Sequence, residues 1–393
     1  MATAQRPCAA CVRTTKNADG LEGVATIACW RDAIVNKAKA MSGAMEGRGE
    51  YNRHSALQAA GGALALNALK QAAARVVLET ADHPIVIADY GTSQGGNSQL
   101  PMRVAIAELR TRAGPNRPIL VYHEDLPIND FGSLFKVLEA DPDRYVRDDS
   151  HVYPCAIGRS FYESVLPPAY VHLGWSAYAA MWLSRVPVPV ADHIYVPCMK
   201  GAASAAFHEQ GMKDWQKFLS LRAAELRPGG RLVVVLPGAD DDGRTGFEPL
   251  MNDAHDVLTQ MADEGALTAN ERAHMVLATF GRPLRELLTA FAADGRCCQL
   301  SVEHCERLPL PDAVWDGFLQ DGDRERMVSR YAAFYRSTFV PSLFLALAQP
   351  DDTQRKGELS DRFEHLLKKR LETRQEPIHS QVQTFVFARD LVP

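Results

Sequence analysis

Two carboxylates in this chain follow apolar runs. Ile85-Val86-Ile87-Ala88 leads straight into Asp89, and the run from Ile119 to His123 leads into Glu124-Asp125. An acid at the carboxyl end of a buried parallel strand stands where open α/β sheets bind their ligands. Such a carboxylate can hold a cation or accept hydrogen bonds from a pair of hydroxyl groups. Gly91, Gly95 and Gly96, directly after Asp89, let the backbone pass close to whatever is bound there. Their spacing is not G-x-G-x-x-G, and no Lys-Ser or Lys-Thr pair follows them. The turn therefore lacks both the dinucleotide fingerprint and the phosphate grip.

What suits it is a ligand with a cationic or amino-acid part and a ribose, of which S-adenosylmethionine (SAM) is the commonest. Asp125 is the candidate acceptor for two ribose hydroxyls, with Leu126 able to cover the base. Asp130 is placed to cap the helix expected over Gly132 to Ala140, a role equally open to Asp125. After the third apolar run, Phe161 could stack on an adenine ring and Ser160 could bond its edge, although a lone aromatic there also reads as core. After the fourth, Tyr178 and Trp182 stand four apart, so on a helix they would share one face with Met181 beside them. That spacing equally suits core packing, but it lies at the ligand end of the sheet.

Seven apolar runs read as strands: Ile85–Ala88, Ile119–His123, Val152–Ile157, Tyr170–Leu173, Leu232–Leu236, a weaker one at 299–302, and Gln381–Ala388. Helical patterns fall between most of them, as in a doubly wound α/β sheet. Tyr51–Leu78 is helical and alanine-rich, with Gly61-Gly62 a candidate interruption. Two helices are clear, Phe207–Leu226 and Glu358–Arg374. Residues 1–40 read as an arm or lid and 41–240 as the cofactor-binding core. Residues 241–297 read as a helical cap over the site, with part of 306–345 a candidate addition. Residues 298–393 return to the core with the last two strands.

With 393 residues, 46% of them hydrophobic, the chain can bury a large core. A net charge of −5 with no basic stripe argues against nucleic acid. No stretch approaches the ~18 apolar residues of a membrane span, so a cytoplasmic protein is expected. Cys8 and Cys11 form a lone C-x-x-C with no second pair, and no metal site is expected. His123 and His172 read as core or supporting groups rather than bases.

In this order the blocks resemble the SABATH family of SAM-dependent carboxyl methyltransferases, over most of residues 41–390. Family members esterify salicylate, benzoate, jasmonate and related acids, and some N-methylate xanthines. They read D-L-G-x-S-x-G-x-N where this chain has Asp89 to Asn97, and N-D-L-P-x-N-D-F where it has Glu124 to Phe131. They read G-S-F-Y at Arg159 to Tyr162, S-S-Y-S-x-x-W-L-S at Ser176 to Ser184, and S-Y-x-x-N-S-x-x-Q at Glu50 to Gln58. Ser42, Ala44 and His54 depart from the family pattern.

The resemblance implies a class I methyltransferase, with a Rossmann-like seven-stranded sheet and an α-helical cap, commonly a homodimer. Tyr51, Ser55, Asp89 and Asn97, beside Gly91, would take the cofactor's amino-acid end. Asp125 and Leu126 would hold ribose and adenine, with Ser160 and Phe161 against the adenine. Gln58 and Trp182 would hold the substrate carboxylate, with Tyr178 and Met181 lining the pocket.

A free carboxylic acid with a pKa near ~4 is ionised at pH 7 and needs no general base. The expected reaction is esterification of a small hydrophobic carboxylic acid, with S-adenosylhomocysteine (SAH) as the other product. Residues 248–265 hold no Phe, Tyr or Trp where many family members place an aromatic, which favours a fatty acid over an aromatic one. The alternatives are N-methylation of a heterocycle, a silent cofactor-binding protein, and a nicotinamide-dependent oxidoreductase.

Overall fold

Every residue of β1 (Ile85–Tyr90) is buried, and its side chains alternate between two cores. Ile85 and Ile87 join one cluster, while Val86, Ala88 and Tyr90 join the other. That explains the unbroken apolar run: the strand lies in the middle of a sheet covered on both faces. The computed structural model describes residues 43–79, 83–190, 192–279, 281–291 and 295–391. The expected arm at 1–40, Cys8 and Cys11 lie outside the described residues.

The other strands are β2 (Ile119–Asp125), β3 (Val152–Gly158), β4 (Val171–Ala177), β5 (Leu226–Ala239), β6 (Arg282–Pro283), β7 (Arg296–Cys297), β8 (Leu300–Pro309) and β9 (Gln381–Arg389). Their order is β3-β2-β1-β4-β5-β9-β8-β7, with β6 paired to β5. β1 to β5 are mutually parallel, and β9 runs antiparallel between β5 and β8. The seven expected strands are all present, and β6 and β7 add two residues each. The order reverses at β1, whose carboxyl end lies between those of β2 and β4 and forms the crevice a ligand uses.

Helices α1 (Glu50–His54), α2 (Ala56–Leu64) and α3 (Leu66–Arg75) replace the expected 51–78 stretch. The breaks fall at Ser55 and Ala65, not at Gly61-Gly62, which are buried inside α2. A Cβ on Gly61 would lie 2.1 Å from the Tyr178 hydroxyl, so the glycine makes room for that side chain. α4 (Gln99–Ala113) and α5 (Phe131–Ala140) cover one face with α3, and α6 (Gly201–Glu225) covers the other. Asp130 caps α5, its Oδ1 accepting the Ser133 N–H at 3.0 Å.

A third core lies beyond the strand ends. It gathers α7 (Glu248–Asp263), the segment after α8 (Ala269–His274), and three helices that follow the short α9 (Leu284–Leu287). These are α10 (Ala313–Asp321), α11 (Arg324–Thr338) and α12 (Val340–Leu343), joined by α13 (Thr353–Leu371). Leu250, Ala254, Val257, Leu258 and Met261 form the buried stripe of α7, and Leu359, Phe363 and Leu367 that of α13. The buried Glu271 carboxylate of α8 pairs with Arg355 of α13 at 2.6 and 2.9 Å and also caps its own helix.

Candidate active site

The glycine turn after β1 is wound back on the strand end. Gly91 and Thr92 both donate their N–H to the Glu124 carbonyl, at 2.9 and 3.0 Å. Ser93 has a left-handed φ of 50° and is held on both sides. Its N–H donates to Asp125 Oδ2 at 2.7 Å, and its carbonyl accepts from Asn129 Nδ2 at 2.7 Å. The Leu126 N–H donates to Asp125 Oδ1 at 2.7 Å. Each carboxylate oxygen thus has one backbone donor and keeps a lone pair for a ligand hydroxyl. Burial raises the Asp125 carboxyl to about 6 against the lowering effect of those two N–H groups. The adjoining Glu124 is wholly buried, with no hydrogen-bond partner for either carboxyl oxygen among the described residues. Burial, then the neighbouring Asp125, pushes its carboxyl well above the usual range.

Asn52 of α1 staples the same turn, donating to the Gln94 carbonyl at 3.0 Å and accepting from the Gly96 N–H at 3.1 Å. Ser55 Oγ and the Asn97 side chain meet at 3.1 Å. On the opposite wall, the Ser160–Glu163 segment is tied down by the buried Arg222. Its guanidinium donates to the carbonyls of Phe161 and Glu163, at 2.6 and 3.1 Å, and pairs with both oxygens of the buried Glu225. It also lies 4.4 Å from the Tyr90 ring centroid.

These walls line two half-open hollows. Asp125, Leu126, Ser160, Phe161 and Gly91 line the first; Asp89, Asn97 and Gln58 line the second. A third hollow opens beside the third core, walled by Met181, Trp182, Phe247, Met251, Phe334 and Phe339 among others. Tyr51 and Tyr178 line all three.

The third hollow is apolar, with a few polar atoms aimed into buried space. Gln58 Nε2 donates to Thr338 Oγ1 at 3.2 Å, and Gln58 Oε1 has no partner among the described residues. The Tyr178 hydroxyl and Thr279 Oγ1 are likewise buried and have no partner among the described residues. The backbones of Trp182 and Thr279 form an antiparallel bridge, and Gly43 lies under the indole, where a Cβ would come within 3.0 Å of its Cγ.

Residues 37–387 match the family described as SAM dependent carboxyl methyltransferase. The chain belongs to that family. It is 29% identical over 245 residues to methyltransferase FUS9 of Gibberella fujikuroi, covering 62% of this chain, and spans 65% of the length of that relative. It is 28% identical to the salicylate carboxymethyltransferase of Clarkia breweri, covering 62% of this chain and 68% of that one. The fold matches a loganic acid methyltransferase solved with SAH, at a TM-score of 0.72 and 21% identity, covering 88% of this chain and 99% of that one.

For a SAM-dependent carboxyl methyltransferase the cofactor is SAM, and the floor suits it. A Cβ on Gly91 would strike that of Ala179 at 2.1 Å, so the turn admits only a bare backbone beside Phe161. The first two hollows also offer the required mix: carboxylates at two strand ends, an aromatic wall and neutral amides. Among the described residues, no group of three or more His, Cys, Asp or Glu is arranged for a metal ion, and no helix is long and apolar enough to cross a membrane.

The structure brings Tyr51, Ser55, Asp89, Gly91, Asn97, Asp125, Leu126, Ser160 and Phe161 together around the first two hollows, and Gln58, Tyr178, Met181 and Trp182 around the third. One local reading is corrected. Tyr178 to Trp182 is not a helix: Tyr178 has a φ of 56° and donates its N–H to the Val235 carbonyl at 2.9 Å. The neighbouring strand end and the Thr279 bridge hold this segment, so i,i+4 spacing does not explain the pair. Sequence reasoning missed Thr279, Thr338, Phe247, Phe334 and Phe339. Tyr331, Phe334, Tyr335 and Thr338 do repeat on one helical face, a readable signal for burial but not for what that face meets.

Proposed function

We propose that the protein transfers the methyl group of SAM to a small hydrophobic carboxylic acid, giving its methyl ester and SAH. The observation that carries this reading is the meeting of three hollows at Tyr51 and Tyr178, two polar ones at the strand ends and an apolar one under the cap. When bound, SAM supplies the electrophilic methyl carbon. In this reading Asp125 accepts the ribose hydroxyls, Leu126, Ser160 and Phe161 take the adenine, and Asp89, Tyr51, Ser55 and Asn97 take the amino-acid end.

Gln58 and Trp182 orient the acid's carboxylate. Turning the Gln58 amide about its last bond lets Oε1 accept from the Thr338 hydroxyl and presents Nε2 to the carboxylate, which removes the orphan atom. Both donors are neutral, so they align the carboxylate without quenching it. Alignment of reacting groups can contribute roughly 7 kcal/mol or more. The acid arrives ionised, so no base is required.

The absence of aromatics in 248–265 does not describe the chamber. Phe247, Phe334 and Phe339 bring rings from other segments, beside the adaptable Met45, Met181 and Met251. The reading is therefore a compact hydrophobic acid, aliphatic or aromatic, and a homodimeric, cytoplasmic enzyme belongs to the same proposal. Labelled SAM with a panel of fatty acids, benzoate, salicylate and indole acetate, read by mass detection of the ester, tests it. Ester from one subset supports the reading and names the acid class. Methylation of a heterocycle with no ester from any acid overturns it.

A further inference from the structure

We propose that His123 and Tyr145 form a buried positioning relay that holds the Asp89 carboxylate in place for the cofactor's ammonium group. The inference rests on the reading of Asp89 given above. His123 Nδ1 lies 2.9 Å from Asp89 Oδ2, and its Nε2 lies 2.8 Å from the Tyr145 hydroxyl. The His123 and Asp89 side chains are 0% and 3% exposed, so no water is needed to complete the chain. Ser98 Oγ donates to the same Asp89 oxygen at 2.6 Å. Thr92 Oγ1 sits 3.1 Å from both Ser98 Oγ and His123 Nδ1.

The relay assigns one proton to each contact. Burial and then the Asp89 charge keep the Tyr145 phenol protonated, and in the proposed relay its O–H donates to Nε2. Nδ1 then carries a hydrogen and donates to Asp89 Oδ2. Tyr145 is itself anchored: its N–H donates to Gln99 Oε1 at 3.2 Å, and Gln99 Nε2 donates to the Gly95 carbonyl at 2.8 Å. The relay thus links the loop after α5 to the glycine turn through the strand end.

The arrangement has a direction. Both donors converge on Oδ2, and among the described residues none is drawn to Oδ1, although Asp89 lines the second hollow. One oxygen is fixed by the protein and the other is left for a ligand cation. A carboxylate so held keeps one rotamer and stays an acceptor, which a free side chain would not do.

The test compares two nucleosides in direct binding to the full chain: SAH, which carries the ammonium, and 5′-methylthioadenosine, which lacks the amino-acid portion. His123→Leu should weaken SAH roughly tenfold and leave methylthioadenosine unchanged. His123→Asn keeps an N–H where Nδ1 stands and should recover most of that loss. Tyr145→Phe should cost SAH about threefold. Equal weakening of both nucleosides by His123→Leu, or unchanged SAH affinity in a variant with lowered Tm, would overturn the relay. If His123→Leu fails to fold, the His123→Asn and Tyr145→Phe pair decides by the same ratio. Asp89→Asn is the separate control: an undiminished preference for SAH there would refute the ammonium assignment itself, independently of the relay.

Discussion

The cofactor floor and the cap chamber share two tyrosines but are built by different means. At the floor, side chains bind backbone: Asp125 takes two peptide N–H groups, Asn52 grips Gln94 and Gly96, and Arg222 holds two carbonyls of the Phe161 segment. In the third hollow, the walls are side-chain volume from Phe247, Phe334, Phe339, Met181 and Met251, and Gln58 Oε1, the Tyr178 hydroxyl and Thr279 Oγ1 have no partner among the described residues. A floor fixed at the level of the backbone accepts one ligand in one pose. A chamber of exchangeable side chains can be reshaped without disturbing that floor, which suits a family that keeps one cofactor and varies the acid.

The sharpest break of this division is Asp125→Ala. Losing a carboxylate that can accept two ribose hydroxyls should weaken SAM by roughly 100-fold or more, with the acid KM little changed. Titration calorimetry with SAH reads it, and normal affinity would remove Asp125 from the ribose site. Trp182→Phe probes the other side. It should lower kcat/KM for the acid roughly tenfold or more while SAH affinity stays within about twofold, because one indole donor is lost and the apolar wall is kept.

A third variant should cross the division. In Gly61→Ala the new methyl would lie 2.1 Å from the Tyr178 hydroxyl and 2.6 Å from its ring, driving that ring into the point where the hollows meet. Both KM values should then rise together, several-fold each; a rise confined to one ligand would show that Tyr178 serves one compartment. The smallest effect is that of pH. Burial puts the Asp125 carboxyl at about 6, and protonation weakens it as an acceptor, so on the ribose reading SAH affinity should fall as pH drops through about 6. Bound ribose favours the charged form and lowers the carboxyl's pKa in the complex, so the fall begins at about 6 and levels off only below that lower value. Affinity unchanged down to about pH 5 would mean that Asp125 does not bind the ligand in its charged form.

The floor was legible in the sequence because each part of it is contiguous. Asp89 to Asn97 and Glu124 to Phe131 each run from strand end through turn toward a helix, so residue order already is spatial order. Asp130 as cap and Asp125 as acceptor follow from the same logic. The chamber was legible only in part: Gln58, Tyr178, Met181 and Trp182 were named through the family resemblance, whereas Thr279, Thr338, Phe247 and Tyr195 come from segments that meet only on folding. Two local errors share that cause. The spacing of Tyr178 and Trp182 suggested a helix, but bonds to Val235 and Ala278 override local preference there. Gly61-Gly62 suggested a break, but the pair lies inside α2 because Tyr178 needs the space.

The central claim is that the acceptor is a carboxylate held by neutral donors and needing no base. The measurement that tests it most directly is kcat against pH with both substrates saturating. A carboxylic acid of pKa near ~4 is fully ionised above about pH 6.5, so kcat should be flat from about 6.5 to 9. A rising limb within that range would mean that a proton must leave before methyl transfer, and would contradict a free carboxylate as the acceptor.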